Sequence, residues 1–177
     1  SVTQGFNAAT IPSCWSSAVV ASGPTSYLSY VATGTNPTTA TQEGSNMVQY
    51  NSFSAASGHE ERLVSPTINT TGVSSVDVNF FFFIENNTSY STLDYLNEGV
   101  QVQYSLNGGT TWIDAGSLFA RHDGTLTAGT AQWKLKTLTI PAIANQAAVL
   151  VGFKFHSSFG DNMFMDNVSI IPTPTAV

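Results

Sequence analysis

The segment 76-VDVNFFFFI-84 puts Val76, Val78, Phe80, Phe82 and Ile84 on one side of an extended chain. Asp77, Asn79, Phe81 and Phe83 fall on the other. A helix would scatter these residues around its surface; a pleated strand gathers them, because successive side chains point to opposite faces. The same period of two recurs in 100-VQVQYS-105, 149-VLVGFKFHS-157 and 163-MFMDNVSII-171. Shorter strand candidates lie near 17–21, 27–32, 46–51, 61–65, 111–115 and 132–140. No stretch carries a sustained helical period. Turn-rich clusters separate the runs: 22-SGPT-25, 33-TGTNPTTATQEGS-45, 69-NTTG-72, 85-ENNTSYSTLDYLNEG-99 and 121-RHDGTLTAGT-130. About ten short strands at even spacing predict an all-β fold, a two-sheet antiparallel jelly-roll β-sandwich.

The length of 177 residues suits one such domain, expected over 1–171. The tail 171-IPTPTAV-177 reads as the start of a Pro/Thr-rich linker, from 172 to 177, leading to other domains of the same chain. Five Lys and Arg against eleven Asp and Glu give a net charge of −6, with only 9% charged residues. A nucleic-acid footprint needs clustered cations, so nucleic acid is excluded as a partner. There is no run of ~18 apolar residues and no basic patch, so membrane insertion is not expected. No signal peptide is visible, and the chain reads as a mature piece of something longer. The one cysteine, Cys14, cannot form an internal disulfide. Abundant Ser, Thr and Asn with little Lys suggest a secreted or cell-surface, extracellular location.

The hairpin 104-YSLNGGTTWIDAG-116 contains S-x-N-x-G-x-T-W, a pattern that resembles the Asp-box of sialidase propellers. A propeller needs several four-stranded blades, and no repeat of 20–50 residues is present. The motif is therefore expected to build a turn. Asn107-Gly108-Gly109 tolerates positive φ, and Ser105 and Asn107 can bond turn amides.

Four segments, in order, resemble MAM-like jelly-roll domains, the group that includes cleaved-adhesin and choice-of-anchor modules of secreted Bacteroidetes proteins. They are 5-GFNAATIPSCW-15, 44-GSNMVQYNSFSAASGHEERLVSPTI-68, 100-VQVQYSLNGGTTW-112 and 163-MFMDNVSI-170. The resemblance implies a jelly roll in which Trp15 and Trp112 pack in the core. It also implies a structural calcium ion between the N-terminal strand and Asp166. On that pattern Asn7 and Gln4 stand where relatives carry acids, which lowers the charge of the site. Glu60, Glu61 and backbone carbonyls could compensate. Strict alternation along 163–171 places Asp166 with Phe164, Val168 and Ile170 on a core-facing side, where an ionised carboxylate is costly unless paired. Two readings stand: a calcium ligand, with Asn7, Gln4 and Glu61 as further ligands, or an Asp satisfied by backbone N–H groups and Arg62.

Catalytic patterns are weak. His59, His122 and His156 lie in no nucleophile motif, and no His or Cys pair has zinc spacing. The loop acids Glu85, Asp94, Glu98, Asp123 and Asp161 leave a glycoside hydrolase-associated catalytic domain as a remote alternative. The favoured function is a non-catalytic adhesion or accessory module that binds a glycan or a surface protein. A calcium-stiffened spacer is the alternative. The long segment 85–98 offers sugar-binding chemistry, with Tyr90, Asp94 and Tyr95 as candidate contacts. Trp133, on an expected edge strand, is the fourth candidate. Tyr90, Leu93, Tyr95 and Leu96 could equally serve as a lid over Phe81 and Phe83.

Overall fold

The structure is a computed structural model that describes residues 1–86 and 97–176. Its strands are β1 (Val2–Gln4), β2 (Ser16–Ala21), β3 (Leu28–Val31), β4 (Thr33–Gly34), β5 (Thr39–Ala40), β6 (Met47–Tyr50) and β7 (Glu60–Val64). They continue as β8 (Val73–Glu85), β9 (Gly99–Ser105), β10 (Ile113–Asp114), β11 (Phe119–Ala120), β12 (Ala131–Ile140), β13 (Leu150–His156) and β14 (Met163–Pro174). A 3-10 turn covers Pro141–Ile143, and no described helix is long and apolar enough to cross a membrane.

Two antiparallel sheets face one another. The front sheet runs β12-β8-β14-β6-β3, with β1 added alongside β14. The back sheet runs β10-β9-β13-β7-β2, with β11 also on β9. The core lies between them, built from the inward residues that the alternation names: Val76, Val78, Phe80, Phe82 and Ile84 against Val100, Val102, Val151, Phe153 and Phe155. Aromatic edges lock the layers together. Phe80 meets Phe153 at 5.6 Å between ring centroids, and Trp15 is buried beside Phe6 at 5.5 Å. Such pairs add ~0.5–1.5 kcal/mol beyond area burial.

Two expectations need correction. First, β14 extends to Pro174, where Pro172 pairs with Val76 and Pro174 with Val73. Residues 172–174 therefore belong to the sheet rather than to a linker. Second, β14 carries a bulge. Asp166 pairs with Phe81 and Ser169 with Asn79, so Asn167 and Val168 share the space opposite Phe80. Asn167 takes φ +51°, and the extra residue reverses the alternation. Met163 and Met165 face the core before it, Val168 and Ile170 after it. Asp166 thus lies on the same side as Phe164, the outer side of the front sheet.

The lid expected in 87–96 lies outside the described residues, and Phe83 sits in a second cluster on the outer side of the front sheet. Its ring packs edge-on against Trp133 at 5.4 Å and Phe164 at 5.7 Å. The β4–β5 hairpin folds across this second cluster, and Trp133 Nε1 donates to Ala40 O at 3.2 Å. Gly34 sits so close to the sheet that an added Cβ would lie 2.4 Å from Phe164 Cε1. We expect Gly34→Ala to cost ~1–3 kcal/mol, because the hairpin must lift. A thermal melt, read by Trp133 fluorescence, checks this; an unchanged midpoint would mean that the hairpin rests loosely.

Candidate functional site

The Asp-box-like motif builds a turn. Ser105 Oγ accepts from Gly109 N at 2.9 Å, and Asn107 Oδ1 accepts from Thr111 N at 2.9 Å. Gly108 and Gly109 take φ +69° and +90°, as the tight reversal requires. The turn places Trp112 on the outer face of the back sheet, where a Cβ on Gly152 would come within 2.8 Å of its ring. The Arg62 guanidinium stacks on the ring at 4.3 Å from its centroid. Trp112 is thus half-buried outside the sandwich, whereas the resemblance implied a core residue. The reason is the outward parity of β10 and the gap left by Gly152.

Around this tryptophan the back sheet presents a polar, hydrogen-bonded surface. Strand alternation turns Gln101 and Gln103 of β9, Lys154 and His156 of β13, and Glu60 and Arg62 of β7 to the same side. Register brings them together: His156 stands opposite Glu60, and Lys154 stands between Arg62 and Gln101. Arg62 Nε donates to Gln103 Oε1 at 2.8 Å, and Gln103 Nε2 donates to Asp114 Oδ1 at 2.7 Å. The Gln101 amide donates to the carbonyls of Val102, Ala115 and Gly116. Glu60 holds Lys154 Nζ at 3.2 Å on one oxygen and His156 Nδ1 at 3.0 Å on the other. Partial burial draws the Arg62 guanidinium below its ordinary range, against the pull of Glu60 and Asp114. A groove of about 340 Å³ opens here, lined by Glu60, Asn97, Gln101, Asp114, Lys154 and His156.

The candidate contacts are distributed differently. Tyr90, Asp94 and Tyr95 lie outside the described residues. Trp133 is on the opposite sheet, engaged with Phe83 and Ala40. A second groove, about 350 Å³, lies beside that cluster, between Pro37, Thr38, Phe83, Glu85 and Gly129–Ala131.

Of the candidate metal ligands, Asp166 and Asn7 meet at one turn, while Glu61 lies on the other sheet. Asp166 Oδ2 accepts from the peptide N–H groups of Gln42 and Glu43, at 3.1 and 3.2 Å, and Oδ1 from Asn167 N at 2.8 Å. Asn7 lies beside this turn but gives its oxygen to Ser45 N at 2.8 Å. Gln4 is in β1, opposite Val168. Glu61 lies on the other sheet, buried against Ser26 Oγ and Tyr27 N. Arg62 is on the back sheet's outer face, far from the Asp166 turn in the fold. Calcium takes six to eight oxygens. Here Asp166, Asn7, Gln42 and Glu43 present oxygens already facing N–H donors, the last two receiving Asn167 Nδ2 at 2.9 Å each. Among the described residues no three His, Cys, Asp or Glu side chains are arranged to hold a metal ion. The residues at this turn do not fit a calcium ion. Burial holds the Asp166 carboxyl above its usual range, and its three peptide donors pull the other way.

His59 is buried and saturated. Its Nε2 donates to Thr25 O at 3.0 Å, so Nδ1 accepts the Tyr50 hydroxyl at 2.6 Å. Cys14 is exposed beside Ser13. Sequence reasoning missed the back-sheet groove. Its only sequence signal is the polar half of each alternating run.

No family model matches the sequence, and no curated protein does. The fold does have close company among solved structures. The K2 cleaved adhesin domain of Lys-gingipain superposes with a TM-score of 0.67 at 17% identity, over 94% of this chain and 95% of that one. The CBM22-1 xylan-binding domain of Xyn10C from Paenibacillus barcinonensis gives 0.58 at 9% identity, over 99% and 95%. TmCBM61, solved with β-1,4-galactotriose, gives 0.53 at 13% identity, over 96% and 94%. The chain shares the cleaved-adhesin-like jelly-roll fold; at these identities the likeness is one of fold.

Proposed function

We propose that this domain is a non-catalytic binding module of a secreted or cell-surface protein, and that it holds a neutral glycan in the back-sheet groove. The observation that carries the reading is the groove's prearranged mixture of donors and acceptors. Lys154 and Asn97 can donate, Asp114 can accept, and Glu60 and Gln101 hold the frame in place. A polyhydroxylated ligand offers both roles on each hydroxyl, and a frame already in its bound shape costs little to order. The mixed charges favour a neutral ligand over a polyanion. Two of the solved neighbours described above are carbohydrate-binding modules, which agrees with this reading. The described end of 85–98, Asn97, borders the groove, so Tyr90, Asp94 and Tyr95 are proposed as further contacts.

A glycan array at neutral pH tests the proposal. Lys154→Ala and Asp114→Ala are each expected to weaken retention about tenfold, the scale of one or two lost hydrogen bonds, with the fold intact by circular dichroism. A loss confined to Trp133→Ala would move the site to the front sheet. Binding to a surface protein but to no glycan would replace the glycan by a protein ligand. No binding of either kind would leave the domain a spacer.

A further inference from the structure

Resting on that reading, we infer that the groove recognises a vicinal diol strung between Lys154 and His156, and that acidification releases it. Glu60 sets up both ends. Its two carboxylate oxygens hold Lys154 Nζ and His156 Nδ1 side by side, at 3.2 and 3.0 Å. A carboxylate can only accept, so the proton of the neutral imidazole is on Nδ1. Nε2 then carries a lone pair. The His156 side chain is 28% exposed and lines the groove, and no protein group bonds Nε2 among the described residues. This tautomer is the opposite of the buried His59, whose Nε2 donates to a carbonyl.

Lys154 and His156 are two residues apart on one face of β13, ~7 Å along the strand. An ammonium only donates, and a bare Nε2 only accepts. Two adjacent hydroxyls can link the two groups in one direction: Lys154 N–H to the first oxygen, the first O–H to the second, the second O–H to Nε2. Imidazole is the side chain that changes charge between pH 5 and 8. A second proton on His156 puts donors at both ends of the relay and breaks it. Among the described residues, the charged groups around His156 are Glu60 and Arg62 from β7, Lys154 from β13 and Asp114 from β10. Glu60 can accept from Nδ1 in both states.

The test has two arms on the whole domain. Long-range proton–nitrogen correlation spectra at pH 7.5 are expected to show the His156 proton on Nδ1; a proton on Nε2 overturns the inference. Titrations with β-1,4-galactotriose and xylohexaose at pH 7.5 and pH 5 are expected to show at least about tenfold weaker binding at the lower pH, one lost relay. His156→Gln, which offers an amide in place of a titrating ring, is expected to bind equally at both. Wild-type binding that ignores pH overturns the diol relay and leaves the glycan reading standing. Failure of both oligosaccharides to bind removes the glycan reading and the relay with it.

Discussion

Arg121→Met is expected to destabilise the domain by ~3–5 kcal/mol, the cost of stripping the partner from a buried charge. Arg121 is 1% exposed and Glu98 fully buried. Its Nε donates to Glu98 Oε1 at 2.7 Å, and another guanidinium nitrogen to Glu85 Oε2 at 3.2 Å. The second Glu98 oxygen accepts from Ser52 Oγ at 2.5 Å and from the N–H groups of Ser158 and Gly160, both at 2.9 Å. One carboxylate therefore ties together the ends of β6, β9 and β13. Arg121 joins it to Glu85 across the two ends of 86–97. Without the guanidinium, the fully buried Glu98 carboxylate loses its cation and Glu85 loses one of its contacts. Glu98→Gln removes the charge and keeps the shape, so it is expected to cost less than the arginine loss. Urea unfolding at neutral pH measures both. A loss below about 1 kcal/mol for Arg121→Met, the range of exposed ion pairs, would show that water reaches the cluster.

Asp166→Ala is expected to cost ~2–4 kcal/mol. The change leaves the N–H groups of Gln42, Glu43 and Asn167 without their acceptor, and a buried unmet donor costs about 1–3 kcal/mol. Asp166→Asn keeps one oxygen for Gln42 and Glu43 and is expected to cost less. Its deficit also changes with pH. The folded carboxyl titrates above its unfolded value because burial disfavours the charge. Such a group contributes its stability below the unfolded value, about 3.9 for Asp, and loses it as pH rises through the folded value. Wild type should therefore lose ground to Asp166→Asn as pH rises out of that region. Melts at stepped pH check the sign. Millimolar calcium or EDTA should leave the wild-type midpoint in place, since the oxygens at this turn already face N–H donors. A calcium-dependent rise lost in Asp166→Ala would contradict that reading.

The strands of the core could be read directly. In β8, β9 and β13 the apolar half of each alternation names the residues that meet between the sheets, down to Phe80 against Phe153. The reading failed where one residue changed parity. Nothing in 163-MFMDNVSII-171 announces that Asn167 will take positive φ, and strict alternation then assigns Asp166 to the wrong face. Trp112 was misplaced for a related reason: its outward position depends on β9 pairing with β13 and on the gap above Gly152. The groove was hidden for lack of adjacency. Glu60, Gln101, Asp114 and Lys154 come from four strands, and only the order β10-β9-β13-β7 makes them neighbours. Alternation sets Gln101 and Lys154 on the polar halves of their strands; it does not tell which strands lie side by side.

The most direct test of the account is a backbone amide shift map of the domain titrated with xylohexaose and with β-1,4-galactotriose at neutral pH. The account predicts that perturbed residues cluster on the outward positions of β7, β9 and β13, centred on Glu60, Gln101, Lys154 and His156. Shifts gathered instead around Pro37, Phe83 and Trp133, or no shifts with either sugar, would contradict it.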